Sequence, residues 1–228
     1  GSDPINYPNE NWKELMFKKY GFQQRHNLNI SGGNQKIKYF ASAGFLNQGS
    51  NYTEDVLNYN QYNLRTNLNA YVNDYLTLQL NLAGRRRLNE APGYSAYDIF
   101  RELSRALPNN LAYYPDGTPA RPSFSPNHIL EGLRDFNAGY FRSRNNNIDA
   151  KLSLEWDAAQ VGIDGLKFKS YASLVNNVYY NKTWGKSYEL YTLNRLTGDY
   201  DEYLASPEGS FSETVLTHSM NYSNHYVL

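Results

Sequence analysis

The chain has 228 residues, enough for one large domain or two small ones. Its 22 Lys and Arg balance 22 Asp and Glu, so no global charge steers it toward nucleic acid, and the absence of Cys excludes disulfide frameworks, thiolate metal sites and cysteine nucleophiles. Yet 22 Tyr and 10 Phe accompany a mean hydropathy of −0.72. Disordered chains do not carry so many aromatics, whereas strands that alternate apolar and polar residues average out in this way. No run of about 18 apolar residues occurs, so no transmembrane helix is expected, and nothing near Gly1 reads as a signal peptide.

Residues 1–20 read as an approach segment. Trp12, Leu15, Met16 and Phe17 fall at roughly helical spacing, and Gly21 closes the short amphipathic helix. The period then changes to two, and residues 21–87 are read as four strands. His26, Leu28 and Ile30 alternate with Arg25, Asn27, Asn29 and Ser31. A turn at Gly32-Gly33-Asn34 leads to Ile37, Tyr39, Ala41, Ala43 and Phe45. Leu64, Thr66, Leu68 and Ala70 then alternate with Asn63, Arg65, Asn67 and Asn69, and a turn at Asn73-Asp74 precedes the alternation of Leu76, Leu78, Leu80 and Leu82.

Residues 88–144 form a long loop rich in Pro, Gly, Asn and Tyr, with one short helix around Tyr97 to Leu107 that Pro108 ends, and a turn at Pro115-Asp116-Gly117. Residues 145–177 hold two more strands. In the first, Ile148, Ala150, Leu152, Leu154 and Trp156 face away from Asp149, Lys151 and Glu155; Phe168, Ala172 and Leu174 mark the second. Residues 178–228 are read as a second long loop and a final strand near Ser212 to Tyr222.

Connections that alternate short and long, and charges on the polar strand face, favour an antiparallel transmembrane β-barrel with long extracellular loops. In that reading Arg25, Asn27, Arg65, Asn67, Asp149, Lys151 and Glu155 face a wet lumen, because a dry core rejects unpaired charge. Tyr39, Phe45, Tyr62, Tyr71, Trp156 and Tyr222 then become interfacial girdle residues on the apolar face. A soluble antiparallel sheet with one solvated face shows the same alternation.

Several segments resemble the SusC/RagA family of TonB-dependent outer-membrane transporters. Gly1-Ser2-Asp3-Pro4, Tyr7-Pro8-Asn9 and Asn11-Trp12 resemble its GTDP…YPN…W approach segment. The run from Gln24 to Asn34 is similar to its QRHNLSVSGG hairpin, and the run from Lys38 to Gly49 to its YYASLGYLNQEG strand. Tyr62 to Asn69 resembles YNLRLNLD, and Arg105-Ala106-Leu107 with Tyr114-Pro115-Asp116-Gly117 resembles its R-A-L…Y-P-D-G loop. The resemblance implies a barrel of about 22 strands with a plugged lumen. It also implies an outer-membrane location among lipid, energy from TonB through other parts of a longer chain, and a SusD-like surface lipoprotein as lid. The expected function is a piece of a nutrient importer for oligosaccharide or peptide.

No catalytic, cofactor or metal constellation stands out. His26, His128, His218 and His225 are scattered, and the carboxylate pairs Glu54-Asp55 and Asp201-Glu202 read as solvated loop charges. Arg85-Arg86-Arg87 reads either as a strand-end cluster or as a contact for an anionic lipopolysaccharide or partner. Tyr94, Tyr97, Tyr113, Tyr114 and Phe124 are the candidate contacts to substrate or lid, since tyrosine joins an apolar body to a polar tip. Two readings compete with the importer: a soluble all-β carbohydrate-binding or adhesin module, and a glycan hydrolase, which needs convergent carboxylates.

Overall fold

The structure, a computed structural model, describes residue 3, residues 5–205 and the strand at 211–227, where side chains are described only for Asn221 and Ser223. The expectations placed on Gly1-Ser2, Pro4, His218, Tyr222 and His225 lie outside the described residues or side chains.

Period-two segments become long antiparallel strands: β1 (Gln23–Gly33), β2 (Ile37–Gln48), β3 (Asn58–Asn73), β4 (Leu76–Pro92), β5 (Gly139–Asp157) and β6 (Lys167–Gly185). After a separate hairpin, β7 (Tyr188–Leu193) and β8 (Tyr200–Ala205), the strand β9 (Phe211–Val227) returns to pair with β6. The large sheet has the order β1-β2-β3-β4-β5-β6-β9. Strands β4 and β5 run further than the alternation suggested, because their ladder continues from Leu88↔Arg144 to Pro92↔Tyr140, where side chains no longer alternate cleanly.

The turns at one end are tight. Asn34 Oδ1 accepts from the amides of Lys36 and Ile37 at 2.8 and 2.9 Å, and Asn73 Oδ1 accepts from Tyr75 at 2.9 Å, so each turn satisfies backbone donors locally. Asp157 caps a short 3-10 turn that ends on Gly162 at φ 83°, a left-handed position suited to glycine.

All long connections leave the opposite end and pack together as a cap. It holds α1 (Trp12–Met16), α2 (Ala96–Arg105), α3 (Ile129–Leu133) and the β7–β8 hairpin. Ser95 caps α2, its Oγ accepting from the Asp98 amide at 3.1 Å. The largest buried cluster lies in this cap: Trp12, Met16, Val56, Ile99, Ile129 and Leu133 are almost fully buried. Among the described residues the sheet has no comparable core, for Leu28, Ile30 and Leu64 on its apolar face are 72%, 58% and 60% exposed.

This architecture corrects the expected transmembrane barrel. Closure requires the first and last strands to pair, whereas among the described residues β1 pairs with β2 and β9 with β6, leaving an open sheet beside a second, two-stranded one. The expected outer-membrane localisation is corrected with it. That expectation rested on a closed barrel, and hydrocarbon does not tolerate open sheet edges with unpaired N–H and C=O groups.

At the cap end of β5, Gly139 adopts φ 96°, and a Cβ there would collide with the Trp184 carbonyl across the ladder. Gly139→Ala therefore strains both backbone and neighbour, and is expected to destabilise the fold by more than about 1 kcal/mol. An unchanged urea midpoint in the variant would show that this strand end is not held as described.

Candidate functional site

Strand register sorts the side chains. Directly paired residues share a face, so the rows Asn27↔Gly44↔Asn63↔Arg85↔Asn147↔Asn177 and Asn29↔Ser42↔Arg65↔Ala83↔Asp149↔Val175 lie side by side. The next row, Ser31↔Phe40↔Asn67↔Asn81↔Lys151↔Ser173, continues the same face. Register places Arg25, Asn27, Arg65, Asn67, Asp149, Lys151 and Glu155 on one side. It is a face of an open sheet and not the wall of a lumen.

Two hollows adjoin on this face. The first, of about 400 Å³, is lined by Phe40, Ser42, Asn63, Arg65, Arg85, Asn147 and Asp149. The second, of about 420 Å³, is lined by Arg65, Asn67, Asn81, Asp149, Lys151 and Ser173. Arg65 and Asp149 border both. Four amides, Asn63, Asn147, Asn67 and Asn81, stand among the linings, and an amide group both donates and accepts. Asn147 uses one of each: its Nδ2 donates to Asn177 Oδ1 at 3.0 Å, and its Oδ1 accepts from Arg87 Nη2 at 3.4 Å. Lys151 is steadied by the Tyr171 ring, whose centroid lies 3.9 Å from its ammonium. Strand alternation sorts the faces and says nothing of the hollows, whose linings set the small Ala83 among longer neighbours.

The opposite face carries Phe45 against Tyr62, ring centroids 5.2 Å apart, with Tyr39 and Trp156. Tyr71 does not join them. It pairs with Thr77 on the polar face, where Lys38 lies 5.5 Å from its ring.

The five loop aromatics proposed as contacts are distributed through the cap. Phe124 packs edge-on against Trp12 at 5.8 Å, and Tyr113 lies 5.2 Å from the His128 ring. Tyr114 lies tilted against Tyr200, ring centroids 4.9 Å apart, and its hydroxyl accepts from the Leu193 amide at 2.9 Å, tying its turn to the β7–β8 hairpin. Burial pushes the Tyr94 hydroxyl up to about 12; it lies 2.9 Å from the Tyr188 hydroxyl. Tyr97 alone of the five is strongly exposed, at 74%, beside the half-exposed Phe100.

At the centre of the cap sits His128, fully buried, a residue that nothing in the local sequence singled out. Its Nδ1 accepts from the Glu131 amide at 3.1 Å, which leaves the proton on Nε2 to donate to the Ala112 carbonyl at 2.7 Å. The Tyr188 hydroxyl donates to the His128 carbonyl and accepts from its amide, both at 3.0 Å. Every polar atom of His128 is thus used structurally. No group of three or more His, Cys, Asp or Glu suited to a metal occurs among the described residues.

No protein-family model matches the chain, and no curated protein matches it. Among solved structures it is similar to the RagAB peptide importer in its "closed-closed" state, at 17% identity and a TM-score of 0.58, and in its "open-open" state, at 18% and 0.59. A further RagAB peptide transporter structure gives 18% and 0.53. In each case the similarity covers 78% of this chain and 20% of the other, so the chain spans about a fifth of the length of the proteins it resembles. Likeness at this identity is a likeness of fold. The SusC/RagA membership expected from the short motifs is corrected accordingly, and with it the reading as a barrel piece of an outer-membrane importer.

Burial holds His128 well below the ordinary histidine value, at about 4. A folded value below the unfolded one of about 6.5 means that the unfolded chain binds the proton first. The cap is therefore fully stabilised above about pH 6.5 and loses about 3 kcal/mol as pH falls toward 4. His128→Gln is expected to flatten the dependence of the melting temperature on pH across that window; a wild-type slope retained in the variant would assign it to other groups.

Proposed function

We propose that the chain is a non-enzymatic all-β binding module that holds a glycan on the polar face of its large sheet. The carrying observation is the register-aligned field of Asn, Arg, Lys and Asp side chains around the two adjoining hollows. Sugar hydroxyls donate and accept at once, and amide side chains answer both roles. Phe40, at the floor of the first hollow, supplies an apolar surface for the C–H face of a sugar ring. Together the hollows are large enough for more than one saccharide unit, since ligand pockets commonly enclose about 300–1,000 Å³.

The fold likeness to the RagAB importer, a transport protein and not a catalyst, supports a role in ligand handling without bond chemistry. The same likeness supports a partner drawn from a transport-associated assembly. Tyr97 and Phe100, exposed on α2, offer the cap's own contact to such a partner.

Titration of the chain against a panel of neutral and charged oligosaccharides tests the reading. Binding is expected to at least one class, and Asn63→Ala and Asn147→Ala are each expected to weaken it about tenfold, the loss of one or two hydrogen bonds. Tyr97→Ala, remote from the hollows, is expected to leave that affinity unchanged. Binding that survives both Asn variants sinks the assignment to this face.

A further inference from the structure

The chain is neutral overall, but its polar face is not. At the turn end, Lys167 pairs with Glu155 and Asp157, and Lys169 with Glu155, at 3.5–3.7 Å, so those charges neutralise one another. Around the hollows the balance differs. Arg65, Arg85 and Lys151 border them against a single carboxylate, Asp149. Among the described residues none of these four takes part in an ion pair. Arg65, Arg85 and Asp149 are exposed, and their registers place Arg65 and Arg85 on adjacent strands two residues out of step, both facing the first hollow.

We propose that this face selects an acidic saccharide, a glycan bearing uronate carboxylates, in preference to a neutral one; the proposal rests on the glycan reading above. Two guanidinium groups bordering one hollow match planar carboxylates, each able to give two parallel N–H···O bonds. Lys151, resting on Tyr171 in the second hollow, provides a point charge for the next acidic unit. Asp149 lies between them and accepts from ring hydroxyls, which gives the site a reason to prefer a sugar acid to a bare polyanion. Phe40 adds the apolar platform that phosphate chains do not use. The surplus of positive charge is local, set by strand register, and invisible in the overall count of 22 against 22.

The test is isothermal titration of the full chain with polygalacturonate, with the same polymer fully methyl-esterified, with a panel of neutral glucans, and with a single-stranded oligonucleotide. Polygalacturonate is expected to bind at least tenfold more tightly than its ester, and added salt is expected to weaken it. Arg65→Gln and Arg85→Gln should each cost about tenfold for the acid form with little effect on any ester binding, with circular dichroism confirming the fold. Asp149→Asn should raise affinity for polygalacturonate. Equal binding of acid and ester, or binding of neutral glucans alone, overturns the charge selection while leaving the glycan reading intact. Binding to no saccharide removes both, and an oligonucleotide bound as tightly as polygalacturonate makes the face a general polyanion site and overturns the proposal.

Discussion

The backbone ladder is the constraint on which everything else in this molecule rests. The large sheet has neither face covered by a second layer, so burial contributes less to its cohesion than in a packed sandwich. What holds it is the continuous antiparallel pairing from β1 through β9 and the cross-strand contacts that pairing enforces. A slip of one residue in any ladder exchanges the two faces of the strands beyond it. The binding hollows would vanish with that slip, since they exist only while Arg65, Arg85 and Asp149 remain in register on neighbouring strands.

The cap answers to different physics. Its elements are short helices and turns with little stability of their own, and they are held by a shared apolar cluster around Met16, Ile99 and Ile129. Within it His128 works as a polar rivet: it caps α3, anchors the Ala112 carbonyl and is gripped by the Tyr188 hydroxyl. Such a satisfied buried network specifies one arrangement, because the low local dielectric makes each missing partner costly. Trp12 completes it, its indole N–H donating to the Asn110 carbonyl at 3.1 Å while its ring meets both Phe124 and His128.

How much of this was legible in the sequence follows from the range of the interactions. Strand alternation is local and the register follows it: Arg25, Arg65, Asp149 and Lys151 lie on one face and Leu28, Leu64 and Ile148 on the other. Tyr71 obeys the same count, in phase with Asn67 and Asn69 ahead of the irregularity at Asn73; its aromatic ring and not its position suggested the apolar face. Closure was misjudged for a deeper reason. Period two states which residues share a face and is silent on whether the first and last strands meet. Short motifs such as the run from Gln24 to Asn34 encode a hairpin, and hairpins of that kind serve open sheets equally well. His128 and Tyr188 lie 60 residues apart, and no local pattern joins them. The hollows were not legible, because a small residue such as Ala83 takes its meaning only from its cross-strand neighbours Arg65 and Asp149.

The distance along the chain between cap partners has a kinetic meaning. The hairpins β1–β2, β3–β4 and β5–β6 close short loops, an inexpensive step, whereas β4 and β5 pair across the long connection at 93–138. The Trp12 indole reaches Asn110 across 98 residues, and its loop can shrink only once β1 to β4 have aligned the intervening chain. An aligned sheet thus serves as a template that shortens the search for the cap contacts. The proposed ligand face and the proposed partner contact therefore lie on parts held by different forces, ladder pairing in the one and apolar burial in the other.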